Sequence, residues 1–496
     1  MRIRYDALFS FVAVIVMSAS AWAGTAARDD ETEADLAMPA VVAADRDSAA
    51  ECAYAVVISS TSTSTPGWNA VADALVKKHR AKLVVYEGSV VNCLPALAKL
   101  HPRYTAFVTR PEVLGRIYVA RVHRLTRQLD GDPYTDTRWG IISAATPKDA
   151  LRLAEATEPR VVQSAITLTG VNNGLFDEVY TISDGGKGGW SWKQRQGPAT
   201  NGNVGAEADR VKEFVGKFAE LHPDSIIGSG HATERNLEMC FSKGNTEARE
   251  GKWVGMVNWR EPVLIEPDNH PRVFIGAGNC LIGNFHKHAD SMAPTLLSAY
   301  TVNQFVGYTV PTWYGKGGWG TLGLWQSLPG TYSLAEAWFF NNQLITDELR
   351  TRFPMSANRS LPISEKGHGL DERRIFSSGV SDRDEAGMLW DRDVVAFYGD
   401  PALRCTLDPK KCPADVKFSL TTNWRGLCTV AMTVGNPAPG STGGAACYLF
   451  PKRLAGKIEI VSGREFAPII ADDFILLTKP DYTPGKTCSV KFRVVR

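Results

Sequence analysis

Short apolar runs alternate with stretches of helical period through most of this chain, and that alternation restricts the fold more than any other feature. Ala55-Val56-Val57-Ile58 is followed by an amphipathic stretch from Trp68 to His79 and then by Leu83-Val84-Val85-Tyr86. Leu94 to Leu100 precedes Tyr104 to Val108, and Ile117 to Leu129 precedes Trp139 to Ile142. Val211, Phe214, Val215, Phe218 and Leu221 lie at helical spacing before the short apolar run Ser225-Ile226-Ile227, and Arg272-Val273-Phe274-Ile275 repeats that run farther on. Strands that alternate with helices predict an α/β fold, a largely parallel sheet covered by helices on both faces.

After about Pro401 the texture changes. Val416 to Thr421, Cys428 to Val434, Ala445 to Phe450, Lys457 to Val461, Ile469 to Leu477 and Cys488 to Val495 are short β-type runs divided by Gly, Pro, Asn and Asp. Such runs predict an all-β sandwich. The expected division is an α/β domain over residues 52–404, with a split into subdomains near 160–200 left open, and a β-sandwich over 405–496. A chain of this length exceeds the size at which a single core stops growing, about 250–300 residues, so more than one domain is expected.

The N-terminus reads as a targeting segment. Arg2 and Arg4 precede an apolar stretch from Ala7 to about Val16, and Ala21-Trp22-Ala23 forms a small-x-small cleavage site before Gly24. Residues 1–23 are therefore expected to be a signal peptide, and the protein to be exported: secreted, periplasmic or at the cell surface. Residues 24–51, rich in Asp, Glu and Ala without apolar periodicity, read as a flexible acidic leader outside the core. No later stretch is long and apolar enough for a membrane span. The formal net charge of +2, from 55 basic and 53 acidic residues without a basic block, argues against nucleic acid as a partner. Nine cysteines in an exported chain suggest disulfides around one unpaired thiol, with Cys405–Cys412 and Cys428–Cys447 as local pairings.

Two loops carry reactive side chains among small residues: Gly228-Ser229-Gly230-His231-Ala232 and Gly276-Ala277-Gly278-Asn279-Cys280, each just beyond a predicted strand. Ligands and catalytic groups of open α/β sheets gather outside the carboxyl ends of strands, so the two loops are placed to meet. A cysteine nucleophile needs a base to generate thiolate and backbone N–H groups to hold the developing oxyanion. His231 and Cys280 supply the first two parts, and small neighbours let the main chain approach a substrate.

A strand ending in a small-residue turn with His, then a second strand ending in small-x-x-Cys, resembles the caspase-related cysteine peptidases, and the closer resemblance is to the gingipain-like family. Supporting residues are the two loops, Thr312-Trp313-Tyr314-Gly315 with its Gly-rich continuation, and Tyr398-Gly399-Asp400-Pro401-Ala402-Leu403 at the end of the α/β region. The resemblance implies a cysteine endopeptidase acting on protein or peptide substrates through a thioester. It assigns Cys280 as nucleophile, His231 as base, and the amides of Ala232 and Cys280 as oxyanion donors, with Ala232 standing where the family commonly has Gly. It also implies an immunoglobulin-like C-terminal sandwich, no organic cofactor and structural calcium as an option, although no ordered calcium loop is legible. An acidic residue that orients the His is expected, with Asp177, Glu178 and Asp184 as candidates. Asp184, in a Gly-rich loop, and Trp313 and Trp319 are candidates for the substrate pocket.

Other readings carry less. Gly276-Ala277-Gly278 resembles the start of a dinucleotide-binding turn, but Leu281 stands where a third Gly is needed. His286 and His288, two apart on an irregular loop, do not have a recognised zinc spacing. The alternative that remains is a catalytically silent surface binding protein or adhesin with the same fold.

Overall fold

The computed structural model describes residues 31, 33–39, 52–182, 188–205, 208–239, 244–285, 288–366, 380, 382–412, 415–435 and 444–495. The proposed signal segment lies outside them. Among the described residues no helix is long and apolar enough to cross a membrane.

Twelve strands make one mixed, mostly parallel sheet: β1 (Tyr54–Ser59), β2 (Lys82–Tyr86), β3 (Tyr104–Val108), β4 (Arg138–Ile142), β5 (Ser164–Leu168), β6 (Glu178–Ile182), β7 (Gly189–Lys193), β8 (Thr200–Asn203), β9 (Ser225–Gly230), β10 (Arg272–Asn279), β11 (Val302–Tyr308) and β12 (Val395–Tyr398). Their spatial order is β2-β1-β3-β4-β12-β11-β10-β9-β5-β6-β7-β8. The pairs from β2 to β12 are parallel, as are those from β11 to β6. Between them, β12 pairs antiparallel with β11, so two parallel blocks of opposite direction meet at a central seam. The expected α/β architecture is thus present. The sequence reading contained neither this seam nor the antiparallel edge pair β7 and β8.

Interior strands of a parallel sheet are covered on both faces and read as continuous apolar runs rather than alternating ones. Ala55, Val56, Val57 and Ile58 of β1 are all fully buried, as are Ile226 and Ile227 of β9 and Phe274 and Ile275 of β10. Each such side chain contributes about 1.5–3 kcal/mol. The helices that cover the sheet include α1 (Trp68–His79), α2 (Arg116–Thr126), α3 (Val211–Leu221), α4 (Lys316–Ser327), α5 (Leu334–Arg352) and α6 (Arg383–Val394). Helix α3 stops at His222, whose left-handed backbone (φ 42°) turns the chain through Pro223 into β9.

The Tyr398-to-Leu403 segment is scaffold. Gly399, with φ 121°, leaves no room for a side chain, since a Cβ would lie 2.3 Å from the Asn303 carbonyl oxygen. Asp400 accepts hydrogen bonds from Tyr54 (2.8 Å), Lys78 (2.8 Å) and His79 (2.7 Å), which lock the end of β12 to β1 and α1.

Toward the C-terminus, strands Val416–Thr422, Leu427–Val434, Thr487–Val495 and Lys457–Ser462 form one antiparallel sheet, and Ala446–Leu449, Phe474–Leu477 and Pro468–Ile470 form another. Val430, Met432, Val490 and Phe492 of the first share an apolar cluster with Ala446, Ile475 and Leu477 of the second. Phe474 stacks edge-on against Phe339 and Phe340 of α5, which seats this unit on the α/β part.

Two expectations change. One leader residue is held in the core: Glu31, 4% exposed, pairs with Arg124 (2.8 Å) and Arg121 (3.0 Å) and accepts from the Ile363 amide (3.1 Å). Burial of a carboxylate is tolerated when it is paired and hydrogen-bonded, and here both conditions hold. The suggested local disulfides are not formed either: Cys405, Cys428 and Cys447 carry free, buried thiols.

Candidate active site at the carboxyl ends of β9 and β10

Strands β9 and β10 run parallel, with Ile226 opposite Phe274, Gly228 opposite Gly276, and Gly230 opposite Asn279. Neighbouring strands lie about 4.8 Å apart, so the positions after this last pair, His231 and Cys280, emerge side by side. The register slips between Gly228 and Ser229, and the slip is held by Asn279. That side chain is fully buried and donates from Nδ2 to the Gly230 carbonyl oxygen at 3.2 Å. Its Oδ1 would stand 2.6 Å from any Cβ at position 228. Gly228 therefore makes room for the amide that fixes the His loop, and Gly230 has a φ of 135° that other residues rarely adopt.

Beyond His231 the chain turns into a short hairpin. Ala232 bridges Leu237 in antiparallel fashion, with hydrogen bonds from Glu238 N to His231 O (3.0 Å) and from Thr233 N to Asn236 O (3.0 Å). In this pattern Ala232 and Leu237 form a non-hydrogen-bonded pair, so the Ala232 N–H faces away from the partner strand, as an oxyanion donor must.

Cys280 is partly buried, and its Sγ accepts a hydrogen bond from the Thr312 amide at 3.2 Å. Burial pushes its thiol pKa up, and the hydrogen bonds from Thr312 oppose that shift. The amide favours thiolate, and a base is still needed to overcome burial. Leu281, with φ 60°, holds the turn that follows, tied to the Val310 carbonyl oxygen at 3.0 Å.

The half-buried Trp313 adjoins Thr312 and therefore Cys280, and the Arg383 guanidinium lies 5.9 Å from the centre of its ring. Trp319 packs on β10, since a Cβ at Gly278 would fall 3.0 Å from its Nε1 and 2.4 Å from Ser229 Oγ. At Gly318 a Cβ would meet the Ala277 carbonyl oxygen at 2.2 Å, so the Gly-rich start of α4 is what lets this helix lie on the strand that ends in Cys280. Asp184 lies outside the described residues. Glu178 begins β6 and Asp177 precedes it, at the amino ends of the parallel strands, where Asp177 pairs with Lys411 at 2.7 Å. They are thus not brought to His231. The sequence names Asn279 and Thr312 within their segments but not their contacts with Gly230 and Cys280, and it does not single out the hairpin acid Glu238, because each is brought there by register or by a distant turn.

The chain matches no family model, and comparison with curated proteins and with solved structures finds no significant match.

A second polar cluster lies where the C-terminal sheets meet the α/β part. His101, Asp130 and Asp136 bring possible ligand atoms within 4.8 Å of one another. His101 also lies 3.6 Å from Asp472, which Arg453 pairs at 2.8 Å. Burial, and then the charge of Asp130, push the Asp132 carboxyl up to about 7, and burial with the same neighbours raises Asp136. Asp473 is 1% exposed; among the described residues neither of its carboxylate oxygens has a hydrogen-bond partner, and Arg138 lies 3.5 Å away. Asp130, Asp132 and Asp136 offer the oxygen donors that a hard divalent cation such as calcium takes, whereas His101 offers nitrogen and Arg453 already pairs Asp472. The sequence reading found no calcium loop. Asp130, Asp132 and Asp136 are close in sequence, while His101, Asp472 and Asp473 reach the cluster from other segments.

Proposed function

We propose that this protein is an exported cysteine-type endopeptidase of the gingipain-like, caspase-related kind, with an immunoglobulin-like C-terminal sandwich. The observation that supports the reading is the parallel pairing of β9 with β10, whose last paired residues, Gly230 and Asn279, immediately precede His231 and Cys280. Thiolate Sγ of Cys280, its proton taken by His231, attacks the carbonyl carbon of the scissile peptide bond. The amides of Ala232 and Cys280 hold the oxyanion. As the C–N bond breaks, the imidazolium returns the proton to the leaving amine, and a thioester links the acyl group to Cys280. Water then attacks the thioester, giving its proton to His231, and the carboxylic acid leaves with the thiolate restored. Trp313 is assigned to the substrate pocket. The acidic cluster around Asp136 would hold a structural calcium ion, whose chemistry is to neutralise the carboxylates that join the two parts of the chain.

The test is hydrolysis of a mixed fluorogenic peptide library by the purified protein under reducing conditions, beside Cys280→Ala and His231→Ala. Cleavage by the wild type and loss in both variants supports the reading. Cleavage that survives in Cys280→Ala removes Cys280 as nucleophile, and silence of the wild type favours a binding protein.

A further inference from the structure

We infer that Glu238 is the positioning residue of the site, the carboxylate that orients His231 toward Cys280; this rests on the peptidase reading above. The hairpin beyond β9 carries the argument. With Ala232 bridging Leu237, the next pair outward is His231 opposite Glu238, and the Glu238 amide donates to the His231 carbonyl oxygen at 3.0 Å. Residues directly opposite in an antiparallel pair project from the same face, with Cβ atoms about 4.5–5.5 Å apart. A glutamate of ordinary length reaches an imidazole at that separation.

The carboxylate is also held there. Glu238 ends the strand Asn236–Glu238, which pairs with Asn245–Arg249 in a four-stranded antiparallel sheet. Its neighbour Leu237 is fully buried, and the Thr246 hydroxyl donates to the Leu237 carbonyl oxygen at 3.4 Å. Glu238 itself is half-buried, and its opposite residue on the next strand is the neutral, buried Asn245. The nearby charges are spoken for or point elsewhere: Glu247 pairs with Arg249, and Glu234 sits at the hairpin turn, where its field acts on Arg116. Burial raises the Glu238 carboxyl, and the charge of His231 opposes that rise.

A carboxylate opposite the imidazole does two things. It accepts from one ring nitrogen, which turns the other toward the sulfur. It also favours the imidazolium that must form when Cys280 loses its proton. Loss of the charge therefore narrows the pH range in which thiolate and imidazolium coexist, because the imidazolium gives up its proton at a lower pH and the alkaline-side midpoint falls.

The experiment uses the full chain with Glu238→Gln and Glu238→Asp, read by two methods. The first is the pH dependence of Cys280 alkylation by iodoacetamide, which needs no substrate. The second is the pH profile of peptide hydrolysis, with Cys280→Ala as control. In Glu238→Gln the alkaline-side midpoint, where the ion pair gives way to free thiolate in the alkylation profile and activity is lost in the hydrolysis profile, should fall by about one unit. The kcat should fall about 10- to 100-fold with KM little changed, and Glu238→Asp should restore part of both. A purely structural role would lower both signals in step with the folded fraction and leave the midpoint in place, and that result overturns the inference. If the wild type cleaves nothing, the peptidase reading fails, while the alkylation midpoint still decides whether Glu238 acts on the His231–Cys280 couple.

Discussion

The same two strands, β9 and β10, end in opposite ways. At their amino ends every strong polar group has a fixed partner. Asp224, just before β9, pairs with Arg160 and with His270 (2.9 Å), and accepts from the amides of Gln163 (2.8 Å) and Ser164 (2.9 Å). Arg272, the first residue of β10, is held by Asp268 at 2.6 and 2.8 Å and by the carbonyl oxygens of Pro223 and Tyr300. At the carboxyl ends the residues are Gly228, Gly230, Gly276, Ala277 and Gly278, and the reactive groups stand at the rim. Both ends contain His, and both contain an acid nearby. A His beside an acid is therefore no mark of function by itself; one end is saturated with bonds to its own scaffold, and the other keeps its chemistry turned outward.

Substitutions at the two ends should separate cleanly. The largest effect is expected from Cys280→Ala, which should lower peptide hydrolysis by about 10⁴-fold or more while leaving the urea midpoint unchanged. Asp224→Ala should do the reverse. Removing one partner from a buried ion pair costs about 3–5 kcal/mol, measured by urea unfolding, and the alkylation rate of Cys280 in the folded fraction should stay as it was. If Asp224→Ala changes that rate, the division between scaffold end and working end fails.

The acidic cluster at the sandwich interface extends the comparison to a scaffold that is incompletely paired. Added calcium at about 100 times its dissociation constant should stabilise the chain by about 2.7 kcal/mol, and a chelator should reverse the effect in a thermal melt. Asp473→Asn should weaken this response, whereas Cys280→Ala should retain it in full.

The smallest predicted effect concerns acid. Asp400 is fully buried, which by itself would raise its carboxyl, but the hydrogen bond from His79 and the charge of Lys78 outweigh burial and hold it at about 2. The unfolded value is about 3.9. A depressed carboxyl contributes stability that is complete above about pH 4 and is lost as the pH falls toward 2, worth about 2 kcal/mol here. Urea midpoints measured between pH 5 and pH 2 should show this loss, and Asp400→Asn should flatten it.

Much of this was legible in the residues. Periodicity located α1, α3 and β1 to β4 within a residue or two and the starts of β9 and β10, because interior strands and amphipathic helices each have a distinct apolar period; β9 and β10 run on three and four residues, through small residues that carry no apolar signal. Strand β12 was not, since α6 passes from Val394 straight into Val395 without a turn residue to mark the change. Strand β8, Thr200-Asn201-Gly202-Asn203, is a polar edge and carries no apolar signal. In the site, His231 and Cys280 were legible from their small neighbours. The parts of Asn279, Thr312 and Glu238 were not, because they depend on register and on a turn from another strand.

The position of β12 has a consequence for how the chain is made. It is the last strand of the large sheet to be synthesised, yet it lies between β4 and β11, at the centre. Until it emerges, the inner edges of both blocks have no partner, and unpaired edges invite association with other chains. The stretch from Tyr308 to Val395 takes on the order of 4–17 s to elongate at ~5–20 residues per second. The nascent chain thus spends its most adhesive interval with the reactive strands already formed and the keystone still inside the ribosome.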